Sequence, residues 1–205
     1  MWTLIFFVLV GFAVLSQHSI AKSVPYFASG PIKAAPALFL TAYSWYLNGP
    51  PLLTVAFLLC AFGDILLDME KANFTWAFEA GVVVFAAALI CLSFVYLTKP
   101  LTGRPLLLLS LPNIVLALFV ILWVLPKIKR PLRIAALGYL ALLVASNVIA
   151  STSVVPVFLG STLWLLSDLA IGVSRHIPGT PANSMTNLGL YDLGLYFIAV
   201  GVLKS

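Results

Sequence analysis

An all-α, polytopic transmembrane bundle of about eight helices is the fold this chain predicts, and three observations predict it. Hydrophobic residues fill 62% of its 205 positions and charged residues only 8%. With a mean hydropathy of +1.13, that is more apolar surface than a water-soluble domain can hide. The apolar residues gather in eight runs of roughly the 17 to 25 residues that cross a hydrocarbon core. These runs are solid in Leu, Val, Ala and Phe, without the period-two alternation that a transmembrane barrel needs.

The first run, 2–17, lacks the basic leader and small-residue cleavage pattern of a secretory signal, so it reads as a span. The second, 32–48, lies between Gly30-Pro31 and Gly49-Pro50-Pro51, and the third, 51–70, opens on that proline pair. The fourth, 74–98, stops before Pro100, and the fifth, 105–126, is bracketed by Gly103-Pro105 and Pro126. The last three are 131–150, opening on Pro131, then 154–174, and 185–203 after Pro178-Gly179. Pro and Gly at these joints are where a helix begins or ends. Pro112 and Pro156 fall inside or near the start of runs, where neighbours in a bundle satisfy the freed carbonyls. Joints this short leave one integral membrane domain, 1–205.

Orientation follows from the basic residues. The odd-numbered joints hold Lys22, Lys33, Lys71, Lys127, Lys129, Arg130, Arg133 and Arg175, against Lys99, Arg104 and Lys204 elsewhere. The positive-inside rule puts the odd joints in the cytoplasm and both termini outside, in a bacterial inner membrane or a eukaryotic endomembrane. The net charge of +5 is accounted for by these topology signals and by contacts to membrane lipids, so no nucleic-acid partner is expected. Cys60 and Cys91, both within apolar runs and in no CxxC spacing, read as small core residues.

The acids carry the chemistry. Only six occur, and Asp64, Glu79, Asp168 and Asp192 lie within four different spans. A carboxylate at bilayer depth costs several kcal/mol, so each is a functional-site candidate facing the bundle interior or a watery cavity. At about 1.5 Å of rise per residue, all four fall on the same side of the membrane, roughly 7 to 11 Å inside the boundary. Lys33 and Asp68 lie on that side too, with Tyr139 and Tyr191 as candidate neighbours. Carboxylates gathered in low dielectric cannot all stay ionised, and a protonated acid beside an ionised one is equipment for general acid and base work. The alternative is that each acid bonds a helix partner, with Glu79 and Asp192 near enough to helix ends to be interfacial.

Other constellations are sparse. His18 and His176 lie at span ends, and no HxxxH, HExxH or cysteine cluster suggests a metal site, so neither metal nor cofactor is expected. Ser167 adjoins Asp168, but helix neighbours point about 100° apart and no histidine accompanies them. Trp2, Trp45, Trp76 and Trp123 sit near span ends as an aromatic belt does.

Three motifs carry a resemblance. FLLCAFGDILLD around Gly63-Asp64, GSTLWLLSDLAIG around Ser167-Asp168, and KAAP from Lys33 to Pro36 resemble motifs of the YhhN-type lysoplasmalogenase family of eight-helix membrane proteins, in the same order and on the corresponding helices. That family hydrolyses the vinyl ether bond of lysoplasmalogens to a fatty aldehyde and a glycerophospho-base. The resemblance implies catalytic roles for Asp64 and Asp168 and an ether lysophospholipid as partner, and the polar layer at their depth makes Lys33, Glu79, Tyr139, Tyr191 and Asp192 the candidate substrate contacts. Gly81 and Phe85 fit the family pattern, but Leu89 stands where it has histidine, and Gly194-Leu195 where it has Ala-Gln after the tyrosine. Two alternatives remain open: a non-catalytic structural or assembly subunit working with other membrane subunits, and a proton-coupled carrier using the same acids.

Overall fold

The computed structural model describes residues 5, 8, 10, 11, 26–70, 74, 76–98, 107–128, 130–177 and 184–204. Within these the chain is all helical: α1 (Tyr26–Tyr46), α2 (Pro51–Met69), α3 (Ala77–Leu97), α4 (Leu107–Val124), α5 (Arg130–Ala150), α6 (Val155–His176) and α7 (Ser184–Lys204). A 3-10 turn, Leu125–Lys127, extends α4. Among the described residues, six helices are long and apolar enough to cross a membrane, all of those above except α1, which makes this a multi-pass membrane protein. Most of the expected 2–17 span lies outside the described residues, as do Trp2 and His18; Ile5 is helical and buried in the core.

Apolar residues cover the outside, as lipid contact requires: Leu122 is 77% exposed and Ile134 79%. Trp45, Trp76 and Trp123 are exposed beside helix ends. One boundary differs from expectation. The second span begins at Tyr26, not after Pro31, and runs through both Pro31 and Pro36. Packing overrides the local break: a Cβ on Gly30 would lie 3.7 Å from Asp68 and Ile65 of α2, so the turn holding Pro31 is seated on its neighbour. At its other end α1 stops in a Schellman motif. Asn48 takes φ 50°, its N–H bonds Trp45 O at 3.0 Å, and Gly49 N–H bonds Ser44 O at 2.9 Å. Pro50 and Pro51 then force a new helix, and Ser44 and Thr54 hydroxyls 2.8 Å apart tie α1 to α2.

α1, α2 and α3 pack side by side, α6 and α7 form the other tight pair, and α5 bridges from α3 to α6. The α6–α7 crossing depends on missing side chains. A Cβ on Gly160 would meet Gly194 O at 2.5 Å, and one on Gly194 would meet Gly160 O at 2.9 Å, both tighter than real contacts. Small residues that let backbones approach are the usual device for associating helices where lipid removes the hydrophobic drive. In the half of the bundle opposite the Lys127–Arg133 joint, a polar knot ties α4, α5 and α6. Asn113 donates to Asn147 Oδ1 (3.1 Å) and Thr162 Oγ1 (3.0 Å), while Asn147 donates to Thr162 Oγ1 (3.2 Å) and Ser161 Oγ (3.3 Å).

Asn147→Leu removes the two bonds it donates and the one it accepts from Asn113, which keeps only its bond to Thr162, a loss of about 1 to 3 kcal/mol. The expected result is a melting midpoint in detergent lower by roughly 2 to 10 °C. A midpoint equal to that of the unmutated protein would mean the knot contributes nothing.

Candidate active site

A cavity of about 480 Å³ opens between the helices at the end of the bundle that carries the joint after α4. One wall, from α4 and α5, is apolar, with Val120, Val124, Leu132, Leu140 and Leu143. Apart from Tyr139, the polar groups come from the other helices. Asp64 on α2 and Asp168 on α6 both border the space, together with Lys33 on α1, Glu79 on α3, Tyr139 on α5 and Tyr191 on α7.

Each carboxylate has its own donors. The Tyr139 hydroxyl donates to Asp168 Oδ2 at 2.5 Å, and the Trp164 indole N–H, one turn earlier on α6, reaches the same oxygen at 3.0 Å. Asp64 Oδ2 accepts the Tyr191 hydroxyl at 3.4 Å. The two acids are linked through rings, since Trp164 and Tyr191 meet edge to face with centroids 5.5 Å apart, and Phe85 meets both at 6.2 and 5.9 Å. Phe85 and Tyr191 line the floor of the cavity, and Trp164 packs behind them without bordering it. Gly63 makes room for this floor: a Cβ there would lie 2.6 to 2.9 Å from the Phe85 ring, so the glycine preceding Asp64 is a packing requirement. Ser167, rather than acting with Asp168, bonds the Asn187 carbonyl at 2.8 Å and joins α6 to α7.

Asp192 is elsewhere. Its neighbour Tyr191 faces the cavity, and a step of about 100° turns Asp192 out of the lining. It is 4% exposed, within electrostatic reach of Asp64, and neither carboxylate oxygen has a hydrogen-bond partner among the described residues. Glu79, in the first turn of α3, is exposed at the rim. Sequence reasoning missed Trp164, whose i to i+4 spacing from Asp168 was a usable signal, and placed Asp68 beside Lys33 at this depth without its bonds: it is fully buried and bonded by both Lys33 and Ser29. Glu70, just past α2, takes Arg175 in a two-point pair, through Nη1 at 2.9 Å and through Nη2. Among the described residues, no three His, Cys, Asp or Glu side chains converge as a metal would need.

A multi-helix membrane protein with two carboxylates opening on one half-apolar cavity is the class that fold and site define. Comparison with known proteins refines it: the YhhN family matches residues 30–202, most of the chain, and the chain belongs to that family. Neither the curated proteins nor the solved structures gave a match.

The Arg175 guanidinium holds the Glu70 carboxyl below the usual carboxylate range. A depressed folded value gives stability that is present above the unfolded pKa and lost as pH falls through the folded one. Both side chains are 35% exposed, so screening limits the pair to about 0–1 kcal/mol. Glu70→Gln is expected to lower stability slightly at pH 7 and to converge with the unmutated protein below about pH 4, read from thermal midpoints across a pH series. A gap that persists undiminished at low pH would show that charge is not the source.

Proposed function

We propose that the protein is a lysoplasmalogenase-like hydrolase in an eight-helix bundle, cleaving the vinyl ether bond of a lysoplasmalogen to a fatty aldehyde and a glycerophospho-base. The observation that carries this reading is that Asp64 and Asp168 share one cavity while differing in their donors. Family membership supports it. Vinyl ether hydrolysis starts with proton transfer to the outer vinyl carbon, giving an oxocarbenium ion. Water then adds to the carbon bearing oxygen and gives one proton to the base; the resulting hemiacetal breaks its bond to the glycerol oxygen, which takes that proton, while the hemiacetal hydroxyl returns its proton to the donor acid and becomes the aldehyde carbonyl. A proton donor, an anion and a positioned water suffice, as in glycoside hydrolysis.

Asp168, with two donors on Oδ2, is the base that orients the water through its other oxygen. Asp64, the more buried of the two and beside Tyr191, is the proton donor. The aromatic floor keeps bulk water from below, so water enters from the mouth. The odd joints, including the one at Lys127–Arg133, are cytoplasmic in this reading, with the span at 2–17 as the eighth helix. Arg133 anchors that joint, donating to the Ile128 and Pro126 carbonyls. A second reading, a non-catalytic subunit of a membrane complex, draws on Leu89 and Leu195, both sealed in the core where the resemblance has polar groups.

Purified protein is expected to release aldehyde from lysoplasmalogen, and Asp64→Asn or Asp168→Asn to lower the rate at least about 100-fold, the contribution of a positioned acid or base. Asn keeps size and hydrogen bonding, so monodisperse protein should still be recovered. No turnover by the unmutated protein favours the subunit reading; full turnover in both variants places the chemistry elsewhere. For orientation, a cysteine introduced at position 128, with Cys60 and Cys91 replaced, should resist an impermeant thiol reagent in intact cells. Labelling there would invert the topology.

A further inference from the structure

Two cations border the cavity above its floor, and each is gripped by an acid outside the lining. Lys33 on α1 bonds Asp68, and Arg175 on α6 bonds Glu70. Asp68 and Glu70 lie two residues apart at the end of α2, facing different neighbours, so one helix end fixes both cations. The grip is firm: Asp68 is 0% exposed and also accepts the Ser29 hydroxyl. The Arg175 guanidinium lies 3.7 Å from the centre of the Phe78 ring. Basic side chains on an open surface are not constrained in this way.

Their height matters as much. Asp68 and Glu70 follow Asp64 by four and six residues, about 6 and 9 Å of helical rise. The cavity therefore has carboxylates at its floor and cations about 6 to 9 Å nearer the membrane surface by that rise. In a glycerophospholipid with one chain, the ether bond and the phosphate are separated by the length of a glycerol arm, which spans such a gap.

We propose that Lys33 and Arg175 form the subsite for the phosphate of a single-chain lipid headgroup, held there while the ether bond lies at Asp64 and Asp168. The inference rests on the reading of this cavity as a lysoplasmalogen site. A guanidinium has five N–H donors, of which Glu70 engages those on Nη1 and Nη2, and charge-assisted bonds to phosphate oxygens are among the strongest available. Glu79 at the rim has the charge to meet a headgroup amine. A soluble phosphate ester offers the same anion, but the apolar α4 and α5 wall, with Val124, Leu132 and Leu140, has no use for one.

The test measures binding of three probes to the purified full chain in detergent, by tryptophan fluorescence: a saturated 1-alkyl lysophosphocholine, the matching 1-alkylglycerol, and glycerophosphocholine. The lysophospholipid is expected to bind at least about tenfold tighter than the alkylglycerol, one charge-assisted contact being worth that much. Arg175→Gln should remove most of that preference. Lys33→Met combined with Asp68→Asn, changed together so that no buried charge is stranded, should do the same. Equal affinity for the two lipids overturns the proposal, as does a preference that survives in both variants. Glycerophosphocholine binding as tightly as the lipid would assign the site to soluble esters and overturn the lipid source. The alkyl probe has no vinyl ether, so a protein that fails to hydrolyse lysoplasmalogen can still pass this test, and one that hydrolyses it can fail.

Discussion

An ionisable side chain inside a bilayer is almost always paired or open to water, and the arrangement of helices around α2 follows from meeting that demand three times within seven residues. Asp64 opens into the cavity, Asp68 is neutralised by Lys33, and Glu70 meets Arg175 at the surface. Leaving Asp68 buried without its cation would be strongly destabilising, by about 3 to 5 kcal/mol on the usual cost of a broken buried pair. That requirement fixes α1 against α2 in register, and the Glu70 pair draws in the end of α6 on the other side. The cavity is the space left when α1 and α6 are both held by α2 while α4 and α5 close the remaining wall.

Close approach complements this electrostatic constraint. Gly63 lets Phe85 lie over α2, and Gly160 with Gly194 brings α6 against α7 at backbone contact. Phe85, Trp164 and Tyr191 thereby converge from three helices as an aromatic layer. Glycine before the acid on α2, and glycines at the α6–α7 crossing, act by making room, so the motif residues surrounding the acids are largely structural supports for where the acids point.

Much of this was legible in the sequence because hydropathy and rise depend only on position along the chain. Seven of the eight apolar runs coincide with the seven helices to within a few residues; only the start of α1 was misplaced, since Pro31 signals a break that packing on α2 overrides. Rise also put Asp64, Asp168 and Glu79 at compatible depth, and all three border one cavity. What rise cannot give is the angle about the helix axis. Asp192 shares their depth but points elsewhere, because α7 turns Tyr191 inward. The Asn113–Asn147 knot was illegible for a related reason: two amides on separate helices have no sequence pattern until packing faces them together.

The same angular argument bears on the two leucines that break the family resemblance. Leu89 follows Phe85 by one turn on α3, and Leu195 follows Tyr191 by one turn on α7, so each lies directly beneath a ring of the aromatic floor. Both are buried among core residues, and neither borders the cavity. A polar pair at these positions would form a layer below the floor, reachable only through the rings. Replacing it with leucine converts that layer to packed hydrocarbon and leaves the two carboxylates, the Tyr139 and Tyr191 hydroxyls and the two gripped cations in place. The departures thus seal the underside of the site without removing any group that faces the cavity.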